Sequence, residues 1–246
     1  MSSALIEEIR LLGDPDSSGA ETHRLLRSAF FSVVQALSPT VFFDIGTRDG
    51  ETACHAKELL PNCSVHAFEA NPYMFGKYRS RIHASGVVHH NLAIGNTTGE
   101  TELYVPLATS YALASGDVHV ADEPQDTGRS SLFRRNDALA QYDVKRVPII
   151  TLDDYCDRAG INKAGPVVMW IDVEGAASLV LDGATETLQR TKVVFLEVET
   201  SSAWLGQACA PEVLQRLVDS GFTPIARDRE WGALQWNVML AKLPEA

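Results

Sequence analysis

Basic side chains are the first deficit: 21 Lys and Arg stand against 32 Asp and Glu in 246 residues, a formal net charge of −11. Phosphate binding needs clustered cations, so nucleic acid is disfavoured as a main partner, and Arg134-Arg135 reads as solvated surface. Cysteine is scarce as well. Cys54, Cys63, Cys156 and Cys209 show no spacing of a zinc site or a redox dithiol, and read as reduced thiols of a cytoplasmic protein. No apolar run approaches the length of a membrane span. Residues 1–8 carry acids where a signal peptide needs cations. The expectation is a cytoplasmic protein without a membrane partner; oligomeric state, homo-oligomer included, is open.

A hydrophobic content of 45% supports an ordinary buried core, and the length suits one large α/β domain. The chain is organised around Val41-Phe42-Phe43-Asp44-Ile45-Gly46-Thr47-Arg48-Asp49-Gly50. An apolar run meets a carboxylate and two glycines, and a helical pattern follows over residues 51–60. This is strand, tight turn, helix, the ligand-handling turn of a Rossmann-like unit. Glycine lets the backbone bend sharply and approach a ligand, while the helix start offers unpaired N–H groups. The spacing Asp-x-Gly-x-x-x-Gly is not the Gly-x-Gly-x-x-Gly of a dinucleotide turn, which counts against a nicotinamide dehydrogenase.

Further strands follow with acids at their ends. Ser64-Val65-His66-Ala67-Phe68 is a short strand, and Glu69 comes about 20 residues after the turn, where a carboxylate can accept both ribose hydroxyls. Asn71-Pro72 starts a helix to about Ala84. Residues 86–94 read as one strand, and residues 100–105 as its hairpin partner. His89 and His90 point to opposite faces of that strand and read as structural. Residues 106–145 are a long irregular excursion, expected on the substrate side with His119, Arg129, Ser130 and Ser131. Residues 147–152 read as an edge or added strand, because Pro148 is tolerated there. Val167-Val168-Met169-Trp170-Ile171 is a central parallel strand ending in Asp172-Val173-Glu174-Gly175. Asp172 and Glu174 share a face in extended chain, as do Glu197 and Glu199 after the next strand. Late strands over residues 222–226 and 234–240 form a hairpin. Ahead of the first strand, residues 5–12 and a segment through Leu25, Leu26, Phe30 and Val34 show helical spacing; they pack on a sheet edge or cap the site.

Several blocks occur here in one order: Phe43-Asp44-Ile45-Gly46 with Gly50, Phe68-Glu69-Ala70-Asn71-Pro72, Asn91-Leu92-Ala93-Ile94-Gly95 with Gly99-Glu100, Ser130-Ser131-Leu132, Thr151-Leu152-Asp153-Asp154 and Ile171-Asp172-Val173-Glu174-Gly175. Over residues 40–200 this resembles the FkbM-family methyltransferases. The resemblance implies a class I methyltransferase fold: a Rossmann-like, mostly parallel sheet with an antiparallel last strand. It would form one domain over 1–246, with an N-terminal helical cap over 1–40 and an inserted hairpin and loop region over 95–150. It implies S-adenosylmethionine as cofactor and O-methylation of a small-molecule hydroxyl, on a sugar or polyketide. Carried over, Asp44, Gly46 and Gly50 face the methionine part, with Thr47 and Thr52 as further cofactor contacts. Glu69 holds the ribose; Ala70, Asn71, Asn91 and Ala93 flank the adenine. Arg48 and Trp170 depart from the family pattern, which has a small or amide residue and a lysine there. Asp172 or Glu174 is expected to orient or deprotonate the hydroxyl. A variant adds a divalent cation held by Asp172 with Glu197 or Glu199. The competing reading is a cofactor-binding scaffold without transfer activity.

Overall fold

The apolar runs become strands because each is buried on both faces. In the computed structural model, β1 (Val41–Ile45) and β9 (Val167–Ile171) are buried at every position. The structure describes residues 9–14, 16–107, 110–112, 118–120, 128–136, 140–161, 164–229 and 235–243. With β2 (Ser64–Phe68), β3 (Val88–His90), β10 (Thr191–Glu199), β11 (Thr223–Arg227) and β12 (Gln235–Ala241), they build a seven-stranded sheet in the order β11-β12-β10-β9-β1-β2-β3. The pairs from β3 to β10 are parallel, and β12 runs antiparallel between β10 and β11. The expected late hairpin is therefore present.

Helices cover both faces. On one side α1 (Gly19–Leu37), α2 (Glu51–Leu59) and α3 (Pro72–Ala84) bury Leu26, Phe30, Ala53, Ala56 and Ile82 against Phe42, Trp170 and Phe195. On the other, α4 (Leu152–Arg158), α5 (Ala177–Asp182), α6 (Thr185–Arg190) and α7 (Ala210–Asp219) pack on Phe43, Met169, Leu196 and Val238. The alternation of Phe42 with Phe43, and of Phe195 with Leu196, follows the two-residue period of a strand. Helix α1 starts at an N-cap, with Ser18 accepting from the Glu21 N–H, and stops at left-handed Ser38. Trp170 lies face to face with Phe195 at 3.6 Å, so this departure from the family pattern is a core residue under α1.

Four expectations are corrected. Residues 86–94 are not one strand: β3 ends at His90, and β4 (Ala93–Ile94) belongs to another sheet. Asn91 divides them, its Nδ2 donating to the carbonyls of Glu69 and Ala70 at 2.8 and 3.2 Å. The partner of β5 (Gly99–Pro106) is β8 (Tyr142–Ile150), not the preceding strand. Finally, β8 is the middle of its three-stranded sheet, between β4 and β5. Pro148 is still tolerated, because β4 reaches only Ile149 and Ile150 and leaves that side of Pro148 unpaired. Residues 9–12 are not helical; Leu11 bridges to Arg227 as a short parallel contact. A further ribbon pairs β6 (Ser110–Ala112) with β7 (Val118–Val120). Much of the irregular excursion expected over residues 106–145 lies outside the described residues, as do residues 5–8 of the first predicted helix.

Candidate active site

The strand carboxyl ends of the sheet open onto a cavity of about 300 Å³. Its construction starts at the turn after β1. Gly46 has φ +87°, and a Cβ there would stand 1.7 Å from the Asp172 carbonyl, so only glycine lets β1 and β9 close up at this point. Gly50 adopts φ +77° as the start of α2, where a side chain would strike Ile82. Asp44 is buried behind this turn. Its Oδ2 accepts from Thr47 Oγ1 at 2.5 Å and from the Ala53 N–H at 3.0 Å. Burial pushes its pKa up to about 7 against these bonds.

One wall belongs to Glu69. Its Oε2 accepts the Arg48 N–H and its Oε1 the Asn71 N–H, both at 2.7 Å. Arg48 takes a left-handed conformation, φ 46°, and thereby turns its N–H toward Glu69. Its guanidinium lies over Gly128, within 3.5 Å of where a Cβ would be. Burial pushes the Glu69 pKa up to about 7, opposed by the two N–H bonds. Asn71 caps α3, accepting from the Tyr73 N–H, and donates to Ser130 Oγ at 3.0 Å. Met74, Leu92, Ala93, Leu103 and Leu132 supply apolar lining around it.

The opposite wall is acidic. Asp172, Glu174 and Glu197 each bring a carboxylate oxygen within 4.8 Å of the others. Glu174 reaches the group through a left-handed turn, φ 48°, not through strand alternation, and its carbonyl accepts from Ser131 Oγ at 2.6 Å. Asp172 and Glu197 are hydrogen-bonded to each other. Gln235 of β12 donates to Glu197 at 3.0 Å and reaches Glu174 at 3.4 Å. Burial raises all three pKa values, and mutual repulsion raises Glu174 and Glu197 further, well above their ordinary value. Carboxyl groups so close do not ionise independently, so the three titrate as one coupled set.

The residues singled out by sequence fall into three groups. Gly46, Glu69, Ala70, Asn71, Ala93, Ser130, Ser131, Asp172 and Glu174 line the cavity. Asp44, Thr47 and Asn91 stand behind its wall as supports, and Gly50 sits at the turn. Thr52, on the first turn of α2, is not among the described lining, and His119 sits on β7, paired with Tyr111. Of the pair offered for a cation, Glu197 does adjoin Asp172, whereas Glu199 stands outside the group of three and accepts from Gln207 Nε2 at 3.1 Å. Sequence reasoning missed Gln235, whose place on β12 beside Glu199 follows only from the β10–β12 register. It missed Leu103 as well, since β5 reaches the cavity only through its pairing with β8.

The cavity's chemistry fits an adenosine with a charged sulfur. A carboxylate fixed by two backbone N–H groups keeps further lone pairs for a vicinal diol, apolar side chains suit a purine, and an acidic wall suits a cation. A family model described as a methyltransferase FkbM domain matches residues 44–224. The 2-O-methyltransferase NoeI of Sinorhizobium fredii (strain NBRC 101917 / NGR234) is 25% identical over 208 residues, 82% of this chain and 78% of NoeI. Precorrin-6y C5,15-methyltransferase from Geobacter metallireducens GS-15 superposes with a TM-score of 0.47 at 13% identity, covering 96% of this chain and 95% of that one. For the N-methyltransferase NodS from Bradyrhizobium japonicum WM9 the values are 0.45, 10%, 91% and 97%.

Proposed function

The chain belongs to the FkbM-domain methyltransferases, with S-adenosylmethionine as cofactor, and from that premise we propose that it methylates a hydroxyl group of a small molecule. The observation that carries this reading is the Asp172–Glu174–Glu197 wall facing Glu69 across one cavity. The similarity to a 2-O-methyltransferase supports an oxygen acceptor.

Bound in the cavity, the cofactor would supply an electrophilic methyl carbon on a sulfonium sulfur, which would leave as a neutral thioether when the sulfur–carbon bond breaks. The residues do the rest. Glu69 holds the ribose diol with the lone pairs its backbone donors leave, and Ala70, Asn71, Leu92 and Ala93 bound the adenine. The acidic wall compensates the sulfonium charge. A hydroxyl is a weak nucleophile, so its proton must leave as the carbon–oxygen bond forms. Asp172 accepts that proton, and Glu174 and Glu197 orient the hydroxyl. Burial raises the pKa of all three carboxyls, and an upward shift makes a carboxylate a stronger base.

Asp172→Asn keeps the shape and removes the base. The expected outcome is loss of turnover, on the order of 100-fold or more, with S-adenosylhomocysteine affinity retained in isothermal titration. Turnover is read as S-adenosylhomocysteine release against a panel of hydroxylated and amino acceptors. Methylation of amines alone would refute the oxygen acceptor, and cofactor binding with no acceptor at all would favour a scaffold.

A further inference from the structure

Arg48 lines the cavity, and its guanidinium lies over Gly128, also a lining residue. Among the described residues that line the cavity it is the one cation, set against Glu69, Asp172, Glu174 and Glu197. The residue is exposed, so it stands where the cavity meets solvent. A guanidinium is a cation in any protein, and its forked donors match the two oxygens of a carboxylate.

A glycine turn before a helix ordinarily meets an anion with unpaired backbone N–H groups. Here those donors are used inside the protein. Gly46 and Thr47 both donate to the Phe68 carbonyl at 3.0 Å, and Gly50 donates to the Thr47 carbonyl at 2.8 Å. The Arg48 N–H goes to Glu69 Oε2 at 2.7 Å. At the start of α2, Glu51 donates to Asp49 Oδ1 and Ala53 to Asp44 Oδ2, each at 3.0 Å. Two acid side chains therefore already occupy the positive end of this helix. A further anion brought to the turn meets acids instead of open donors, and needs a cation from a side chain.

S-adenosylmethionine has one anionic group, the α-carboxylate of its methionine part. We propose that the Arg48 guanidinium holds that carboxylate, in place of the backbone donors the turn has spent. The inference rests on the cofactor reading above and adds the residue that fixes the far end of the ligand. The reach agrees. The Arg48 N–H touches the carboxylate that holds the ribose, and the methylene chain carries the guanidinium from there to Gly128. In the cofactor, a sulfur and a short carbon chain carry the carboxylate away from the ribose. Side chain and ligand tail thus run the same way from the same point. A guanidinium has several N–H donors, so contacts within the protein leave others for the ligand. With ribose and carboxylate both held, the sulfur between them is fixed, and the methyl it carries is aimed.

The test is a binding measurement and needs no acceptor. S-adenosyl-3-thiopropylamine is S-adenosylhomocysteine without its carboxylate. Calorimetric titration of both ligands at one fixed pH gives the ratio of their affinities. In Arg48→Gln the preference for S-adenosylhomocysteine should fall on the order of tenfold relative to wild type, the size of a charged hydrogen-bonded pair. The fall should come from weaker binding of S-adenosylhomocysteine alone, with the thiopropylamine bound no less tightly. Arg48→Asn should show the same pattern, and asparagine tolerates the left-handed φ of 46° that turns this N–H to Glu69. A ratio that stays within about twofold of wild type in both variants overturns the proposal. If both affinities hold, the guanidinium is left to the acceptor; if both fall together, the residue only shapes the turn. Wild-type protein that binds neither ligand refutes the cofactor site itself, whereas an unchanged ratio in protein that binds both refutes only the role of Arg48.

Discussion

Both oxygens of Glu69 accept a backbone N–H, from Arg48 and Asn71, with the carboxylate already aimed into the cavity. Its pKa, pushed up to about 7, makes that preorganisation pH-dependent. Ribose hydroxyls donate, so they favour the ionised form. Below pH 7 the binding of S-adenosylhomocysteine must first remove a proton, and affinity should rise up to tenfold per pH unit until about pH 7, then level off. Glu69→Gln should abolish the slope and weaken binding at pH 8. A slope unchanged in that variant would reassign the dependence to another group. Glu69 was legible in sequence because distance from a glycine turn is a one-dimensional quantity. Glu174 was legible too, but for the wrong reason: alternation paired it with Asp172, whereas a left-handed backbone brings it there. The contact of His23 with Asp228 and Asn237 was not legible, because these partners lie more than 200 residues away and meet it only through the packing of α1.

Helix α1 shows what one element contributes. Phe30 has no exposed surface and meets Phe42, Trp170 and Phe195 edge-on at 5.4 to 6.2 Å. It therefore fixes the helix against the middle of the sheet and, about two turns earlier, fixes His23 over Phe195. Phe30→Ala should cost about 3–5 kcal/mol in denaturant unfolding. If α1 merely covers an edge, the loss will fall near 1 kcal/mol, the level of an ordinary surface change. Elements with a clear local signal were readable in advance: β1 and β9 lie where apolar runs put them, α2 where the helical pattern after the glycine turn puts it, and α3 where Asn71-Pro72 starts it. The small sheet was not. Its β5–β8 ladder joins segments separated by an excursion of unpatterned sequence, and nothing local in residues 99–106 names residues 142–150 as partner. The split of β3 from β4 was hidden for a related reason, since Asn91 breaks the strand by turning its amide to carbonyls beyond β2.

Across the whole molecule, buried acids outweigh buried histidines, and this sets the sign of its response to pH. Asp44, Glu69 and Glu199 have pKa values pushed up to about 7, in each case chiefly by burial. Unfolded, such groups titrate near 4. Between about pH 4 and 7 the folded chain thus holds more protons than the unfolded one, and stability falls as pH rises through that window. Asp172, Glu174 and Glu197 are shifted in the same direction. His66 and His89, pushed down to about 4 by burial, work the other way: the unfolded chain binds their protons first, so they add stability as pH climbs from about 4 to 6.5. His66 is further held neutral in a chain with Tyr155 and His90, through bonds of 2.7 Å. The acids are the larger set, and above about pH 6.5 they titrate alone. A net charge of −11 acts with them, because self-repulsion grows as the remaining carboxyls ionise. The ligand-free protein should therefore melt higher at pH 5.5 than at pH 7.5, by roughly 5 °C for a chain of this size. The measurement is Tm by differential scanning fluorimetry at constant ionic strength, with Glu199→Gln narrowing the gap. A Tm that climbs steadily from pH 5.5 to 7.5 would mean that the histidines dominate and that the acidic wall is ionised in the empty site.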